Sequence, residues 1–120
     1  MTTEELKAAQ AYMAQKRKTT KPKNTLSEAA IEKRMGEYIK KQGGLFYKFV
    51  SPGTVGVPDR IVVTPAGKVY FVELKAEQGT VAPLQRWHVD ELRKRGADAR
   101  IIRGWAEAEK FLKEVMPNGV

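Results

Sequence analysis

The chain has 120 residues, a length that fits a single domain with one core of moderate size. Lys and Arg number 22 against 14 Asp and Glu, and the net charge of +8 either favours a polyanionic partner or serves solubility alone. The lack of cysteine excludes a disulfide framework and a thiolate zinc site. No apolar run approaches the roughly 20 residues that cross a bilayer, and the acidic start differs from a secretory signal. We therefore expect a cytoplasmic protein without a membrane partner.

The first 24 residues differ in composition from the rest. Residues 4–15 are rich in helix-forming residues but have a thin apolar face, and residues 16–23 carry five basic residues and no acid. We predict a basic N-terminal arm or linker over residues 1–24 and a folded domain over residues 25–120. Lys16, Arg17 and Lys18 of this arm either contact nucleic-acid phosphates or belong to a solvated tail.

A helix is predicted from Thr25 to Gln42. Its apolar residues recur at helical spacing and form one face, namely Ala30, Ile31, Met35, Tyr38 and Ile39. Thr25 and Glu28 fit a capping box, with Thr25 as the N-cap and Glu28 at the third helical position. Gly43 and Gly44 end the helix.

Three strands are predicted to follow this helix. Residues 45–50 are aromatic and apolar, and residues 51–58 form a loop with two Gly and two Pro. Residues 61–63 are uniformly apolar, as in a central strand. Residues 65–68 make a hairpin turn that leads into a return strand over residues 69–75.

The remainder predicts a helix, a strand and a helix. The first helix runs from Pro83 or Leu84 to about Arg95, with an apolar face of Leu84, His88 and Leu92. A strand over 99–103 and a helix over 105–115 complete the order α-β-β-β-α-β-α. We expect an α/β domain with a mixed β-sheet flanked by helices.

Three charged residues of the hairpin can meet at one place. Asp59 precedes the second strand, while Glu73 and Lys75 lie two apart near the end of the third and therefore project from one face. Two carboxylates on paired strands, about 4.8 Å apart, can bind one Mg²⁺ or Mn²⁺ that polarises a phosphodiester and activates a water molecule. The spacing is common, however, and a surface salt bridge of Lys75 with either acid is the alternative. Apolar flanks and a basic chain around this acidic pair favour the metal site.

These residues also resemble a known family. Gly56-Val57-Pro58-Asp59-Arg60-Ile61, Val72-Glu73-Leu74-Lys75 and Pro83-Leu84-Gln85, in this order and spacing, are similar to motifs of the virus-type replication-repair nuclease (VRR-NUC) domain. That family belongs to the PD-(D/E)XK superfamily, so the resemblance implies a restriction-endonuclease-like fold. The similarity covers about residues 26–115.

The resemblance implies a role for each residue of the site. Asp59 and Glu73 would be metal ligands, together with the backbone carbonyl of Leu74, and Lys75 would be the catalytic lysine. Gln85 would help to position the site or the DNA, or would be an ordinary helix-start residue.

The first predicted helix offers two acids to the same site. Glu28 matches the glutamate that the family carries on this helix, and it would bind the metal directly or through water. Glu28 is equally well explained as part of the helix cap. Glu32, one turn later, is the reserve candidate.

Function follows as an expectation from the same resemblance. The chain is expected to be a metal-dependent DNA endonuclease, phage-encoded or bacterial, and a homodimer that acts on branched DNA, especially four-way junctions. Candidate phosphate contacts are Lys48, Ser51 and Arg60, although Arg60 could instead form a salt bridge with Asp59. A non-catalytic DNA-binding module of the same fold and a restriction-type nuclease that cuts linear duplex remain alternatives.

Overall fold

The computed structural model describes residues 2–7 and 25–117. Residues 3–7 are helical, whereas Lys16, Arg17 and Lys18 of the predicted arm lie outside the described residues. The elements of the domain are α1 (Glu28–Lys41), β1 (Leu45–Lys48), β2 (Arg60–Val63), β3 (Val69–Lys75), α2 (Pro83–Lys94), β4 (Asp98–Arg103) and α3 (Gly104–Val115).

One mixed sheet holds all four of these strands in the order β1-β2-β3-β4. β1 pairs antiparallel with β2, and β2 pairs antiparallel with β3 across the tight turn between them. β4 runs parallel to β3 because α2 carries the chain back to the other end of the sheet. This arrangement confirms the predicted mixed sheet, its flanking helices and the order of elements. β1 ends at Lys48, two residues earlier than the apolar pattern predicted.

The main core lies between one face of the sheet and the helices α1 and α3. Apolar side chains from every second strand position fill it, as a half-buried sheet requires. Its buried members are Ile31, Met35, Ile39, Val62, Tyr70, Val72, Leu74, Ile102, Ala108, Phe111, Leu112 and Met116. Because these strand residues face the core, the residues between them on β2 and β3 face the opposite side of the sheet.

The start of α1 differs from the predicted capping box. The helix begins at Glu28, and the hydroxyl of Ser27 accepts a hydrogen bond of 3.1 Å from the backbone N–H of Ala30. The prediction of Thr25 as the N-cap is therefore wrong. Glu28 occupies the first helical position rather than the third, where its carboxylate lies near the positive end of the helix dipole.

α2 is buried along a different line from the one predicted. Val89 is its fully buried residue, whereas Leu84, expected on the apolar face, is exposed. The helix packs on β4 through a narrow contact at Val89. The sequence had predicted a broader apolar face of Leu84, His88 and Leu92. Within the described ranges, no helix has the length and apolar character that spanning a membrane requires.

We predict that Ser27→Ala lowers the free energy of unfolding by about 1 kcal/mol, because one N–H at the start of α1 loses its acceptor. Thr25→Ala is the matched control and should change stability by less than about 0.5 kcal/mol. Urea unfolding at one pH measures both. Equal destabilisation by the two variants would contradict the assignment of the cap.

Candidate active site

The register of the hairpin places Asp59 across from Glu73. Arg60 pairs with Val72, so the position before β2 faces residue 73. The backbone of Asp59 continues the sheet, since its carbonyl accepts a hydrogen bond of 2.8 Å from the N–H of Phe49. The hairpin thus brings two acids together at the end of the sheet, as the sequence predicted.

The loop before Asp59 is held against the start of α2. Gly56 has φ +91°, and a Cβ there would lie 2.9 Å from Cγ of Leu84 and 3.0 Å from its backbone carbonyl carbon. Only glycine fits both this backbone conformation and this close contact. The contact ties the Asp59 segment to the helix that carries Gln85.

Glu73 and Lys75 project from the same side of β3, while Leu74 between them is buried in the core. Glu73 is only 3% exposed. The ammonium Nζ of Lys75 lies 3.7 Å from Oε1 of Glu73, an ion pair at the edge of this buried position. The carbonyl of Leu74 remains a predicted ligand.

Each of the two carboxylates has one oxygen beside a cation and one without a donor. Oδ2 of Asp59 lies 2.9 Å from Nη1 of Arg60, and Oε1 of Glu73 faces Lys75. Their other oxygens, Oδ1 of Asp59 and Oε2 of Glu73, are buried and receive no hydrogen bond from the described residues. Such oxygens are costly to bury unless a proton or a cation satisfies them.

The electrostatic environment raises the pKa of Glu73 from 4.5 to about 7. Burial is the largest cause, and the negative charges of Asp59 and Glu28 add to it, while Lys75 acts in the opposite direction. Glu73 therefore takes up a proton near neutral pH when no cation is bound. The competition between a proton and a cation for one carboxylate is typical of metal-binding acids.

The donors fit a small, hard divalent cation that keeps part of its water. Carboxylate oxygens are the ligands that Mg²⁺ and Mn²⁺ prefer, and Mg²⁺ is commonly held by one or two carboxylates. Across residues 2–7 and 25–117, no three His, Cys, Asp or Glu side chains form a group that could hold a metal ion. Metal binding by Asp59 and Glu73 therefore stays a prediction, with two carboxylates as its side-chain ligands.

The two acids of α1 occupy different positions. Glu28 is exposed and close enough to raise the pKa of Glu73, but it does not complete a three-acid group with Asp59 and Glu73. Its predicted role as a water-mediated ligand stays a prediction. Oε2 of Glu32 instead lies 2.8 Å from Nη2 of Arg60.

Arg60 forms the salt bridge that was one of its two expected roles. Its side chain points to the core side of β2 and is 4% exposed, held between Asp59 and Glu32. A guanidinium that is buried to this extent has little surface left for contact with a phosphate, and its predicted phosphate contact stays a prediction. Sequence reasoning missed the link between Arg60 and Glu32, because a helix residue and a strand residue 28 positions apart show no common pattern.

The other predicted residues lie around the site. The side-chain Oε1 of Gln85 accepts a hydrogen bond of 2.9 Å from the N–H of Ala82 at the start of α2. The role of Gln85 in positioning the site or the DNA stays a prediction. Lys48 is exposed at the end of β1, and Ser51 is half-buried two residues after Phe49. Both remain candidates for phosphate contact.

Comparison with known proteins finds similarity of sequence and of structure. The profile of the VRR-NUC domain matches residues 2–106. The chain is 50% identical over 60 residues to "Putative nuclease p44" of Acyrthosiphon pisum secondary endosymbiont phage 1, which covers 50% of this chain and 64% of that protein. A solved structure described as a VRR_NUC domain matches with a TM-score of 0.66 and 31% identity, covering 72% of this chain and 94% of that chain. The chain therefore spans less than two thirds of the phage relative.

We predict that the metal-free protein loses stability as pH rises from 5 to 8. A carboxyl whose pKa is raised to about 7 on folding stabilises the folded state below pH 4.5, and this contribution is lost as pH rises through 7. The change attributable to Glu73 is on the order of 2 to 3 kcal/mol. Urea unfolding in chelator at several pH values measures it.

Glu73→Gln should flatten this pH dependence, since the amide does not titrate. Glu77→Gln, at an exposed position, is the control and should retain the wild-type slope. A Glu73→Gln protein with the wild-type slope would show that Glu73 does not carry the effect.

Proposed function

Because the chain belongs to the VRR-NUC domain family, we propose that it is a nuclease that hydrolyses DNA phosphodiester bonds with the help of Mg²⁺ or Mn²⁺. One observation carries the proposal. The carboxylates of Asp59 and Glu73 each keep a buried oxygen that no described residue satisfies, on adjacent strands of one hairpin. The family membership itself confirms the resemblance predicted from the motifs around these acids.

Each side chain of the site has a part in the proposed reaction. Asp59 and Glu73 would hold the metal ion, and Lys75, beside Glu73, would orient the attacking water or stabilise the negative charge that develops on the phosphate. Bound Mg²⁺ or Mn²⁺ would supply Lewis-acid polarisation of the phosphate and lower the pKa of water. Because Glu73 is buried, its interaction with a bound cation would be screened less by water than that of Asp59, whose side chain is 45% exposed.

The charge of the chain supports a nucleic-acid substrate. The chain has a net charge of +8, and exposed basic residues such as Lys48 can contact phosphates. A divalent cation bound between the carboxylates would remove the local repulsion of a DNA backbone.

We further propose that the preferred substrate is branched DNA, in particular a four-way junction, and that the protein acts as a homodimer. Two symmetric cuts need two equivalent sites, which a twofold interface provides. The contact surface would be one face of the sheet, where Leu45 pairs with Val63 and Val63 with Val69. Leu45, Val69 and the neighbouring Tyr47 are between 42% and 53% exposed.

A second copy of the chain is the occupant that suits this face. Exposed apolar side chains that lie together on one sheet face are candidates for a protein–protein contact. The patch carries no charged residue in its rows, so two copies can meet there without opposing their basic side chains.

We predict that Glu73→Ala abolishes cleavage of a labelled four-way junction in Mg²⁺ or Mn²⁺ while DNA binding survives. The loss should exceed the roughly 10- to 100-fold that changes to outer-shell partners of a metal cause. Glu77→Ala is the matched control, because it removes an exposed carboxylate close by in sequence, and it should cleave as the wild type does. Gel assays of binding and cleavage at one salt concentration measure both properties.

The same assay separates the competing functions. Cleavage that persists in Glu73→Ala or in excess chelator contradicts the assigned site. Binding by the wild type without cleavage indicates a non-catalytic DNA-binding module. Equal or faster cleavage of a matched linear duplex indicates a restriction-type nuclease instead.

We predict a mass in solution of about twice the 13.5 kDa of one chain. Tyr47→Lys should shift the protein toward the monomer, because it places a charge within the apolar face. Ala106→Lys adds the same charge on the exposed side of α3 and should remain dimeric. Light scattering after size-exclusion chromatography measures the mass, and a wild-type monomer at micromolar concentration would contradict the proposal.

A further inference from the structure

Arg60 is a nearly fully buried charge with two acidic partners from different elements. Its Nη2 lies 2.8 Å from Oε2 of Glu32 on α1, and its Nη1 lies 2.9 Å from Oδ2 of Asp59. The same Nη1 also donates a hydrogen bond of 3.1 Å to the backbone carbonyl of Asp59. Burying an arginine is costly unless its charge is compensated. The two ion pairs supply that compensation through Nη1 and Nη2, whereas Nε is buried and has no hydrogen-bond partner among the described residues.

The position of Arg60 in the sheet separates it from the reacting side of the site. Arg60 lies two residues before Val62, which is buried against α1, so both side chains point to the core side of β2. From there the guanidinium reaches around to Asp59. Arg60 therefore contacts the Asp59 carboxylate from the protein interior rather than from the DNA side.

This contact determines which oxygen of Asp59 is left for a cation. Nη1 of Arg60 contacts Oδ2 of Asp59 and donates to the backbone carbonyl of the same residue, while Oδ1 is the atom that no described residue satisfies. Because Nη2 is held by Glu32, the planar guanidinium presents Nη1 to Oδ2 in one orientation, which favours one rotation of the carboxylate. Without it, Asp59 could rotate either oxygen away from Glu73.

We propose that Arg60 is a positioning residue that holds the carboxylate of Asp59 in its cation-binding orientation, and that Glu32 holds Arg60 in place. The inference rests on the proposed metal-dependent function and extends it. Glu32 is then a counter-charge that connects α1 to the site, and it has no direct part in metal binding. Outer-shell partners of this kind typically change metal affinity when they are removed.

The sign of the effect separates positioning from simple electrostatics. A cation beside a metal site repels the metal, so removing a guanidinium that acted only through its charge would tighten metal binding. Removing a guanidinium that orients Asp59 weakens binding instead. Arg60→Met tests the sign, and Arg60→Lys keeps the charge but loses the planar group that contacts Glu32 and Asp59 through two separate nitrogens.

The experiment titrates each protein with Mn²⁺ alone, without DNA, and follows free Mn²⁺ by electron paramagnetic resonance. Arg60→Met should bind Mn²⁺ about 10- to 100-fold more weakly than the wild type, and Arg60→Lys should also bind more weakly. Glu32→Gln should weaken binding more than Glu37→Gln, an equal charge change at an exposed position of the same helix. Saturating Mn²⁺ should restore junction cleavage by Arg60→Lys.

Unchanged or tighter Mn²⁺ binding by Arg60→Met overturns the inference. Circular dichroism at the titration temperature establishes that each variant is folded, and if Arg60→Met is unfolded, unchanged binding by Arg60→Lys overturns it equally. If the wild type binds Mn²⁺ and Glu73→Ala does not, the metal site of the proposed function is supported, and the Arg60 variants then test the inference separately. A wild-type protein that neither binds Mn²⁺ nor cleaves DNA overturns both.

Discussion

Asp59 and Glu73 meet because β2 and β3 pair with Arg60 opposite Val72. The register is set by burial, since Val62, Val72 and Leu74 must face α1 and α3. A slip of one residue would expose these apolar side chains and turn Glu73 into the core, where an ionised carboxylate is far less stable. The hydrophobic core therefore selects the register, and the register in turn builds the site.

Acidic and basic side chains at the end of the hairpin pair with one another. Arg60 pairs with Glu32 and Asp59, Lys75 pairs with Glu73, and the exposed Glu28 adds a further negative charge that acts on Glu73. Without such a cation the raised pKa of Glu73 reports an unfavourable environment for its ionised form. The protein thus carries local instability at the proposed site, a common relation between stability and function.

Local patterns predicted most of the fold. The apolar runs of β2 and β3, the hairpin turn between them and the helical spacing in α1 gave these elements and their order, since burial leaves a trace in the sequence. Spacing also predicted that Asp59, Glu73 and Lys75 converge. The start of α1 was misplaced because Thr25 and Ser27 are both good caps, and only the packing of the helix decides between them. The Arg60–Glu32 ion pair and the buried line of α2 could not be predicted, because each depends on how distant elements dock.

The burial of Leu74 between Glu73 and Lys75 has a consequence for how this chain can change over evolutionary time. Along β3, residues needed for packing the core alternate with residues of the proposed site. At Val72 and Leu74 the acceptable substitutions are apolar and of similar volume, whereas at Glu73 and Lys75 many substitutions would still fold. In a lineage that lost the proposed cleavage activity, Glu73 and Lys75 would therefore be substituted first, while the apolar residues at the alternate positions would be kept. This alternating pattern of substitution would distinguish an inactive descendant from an unrelated strand.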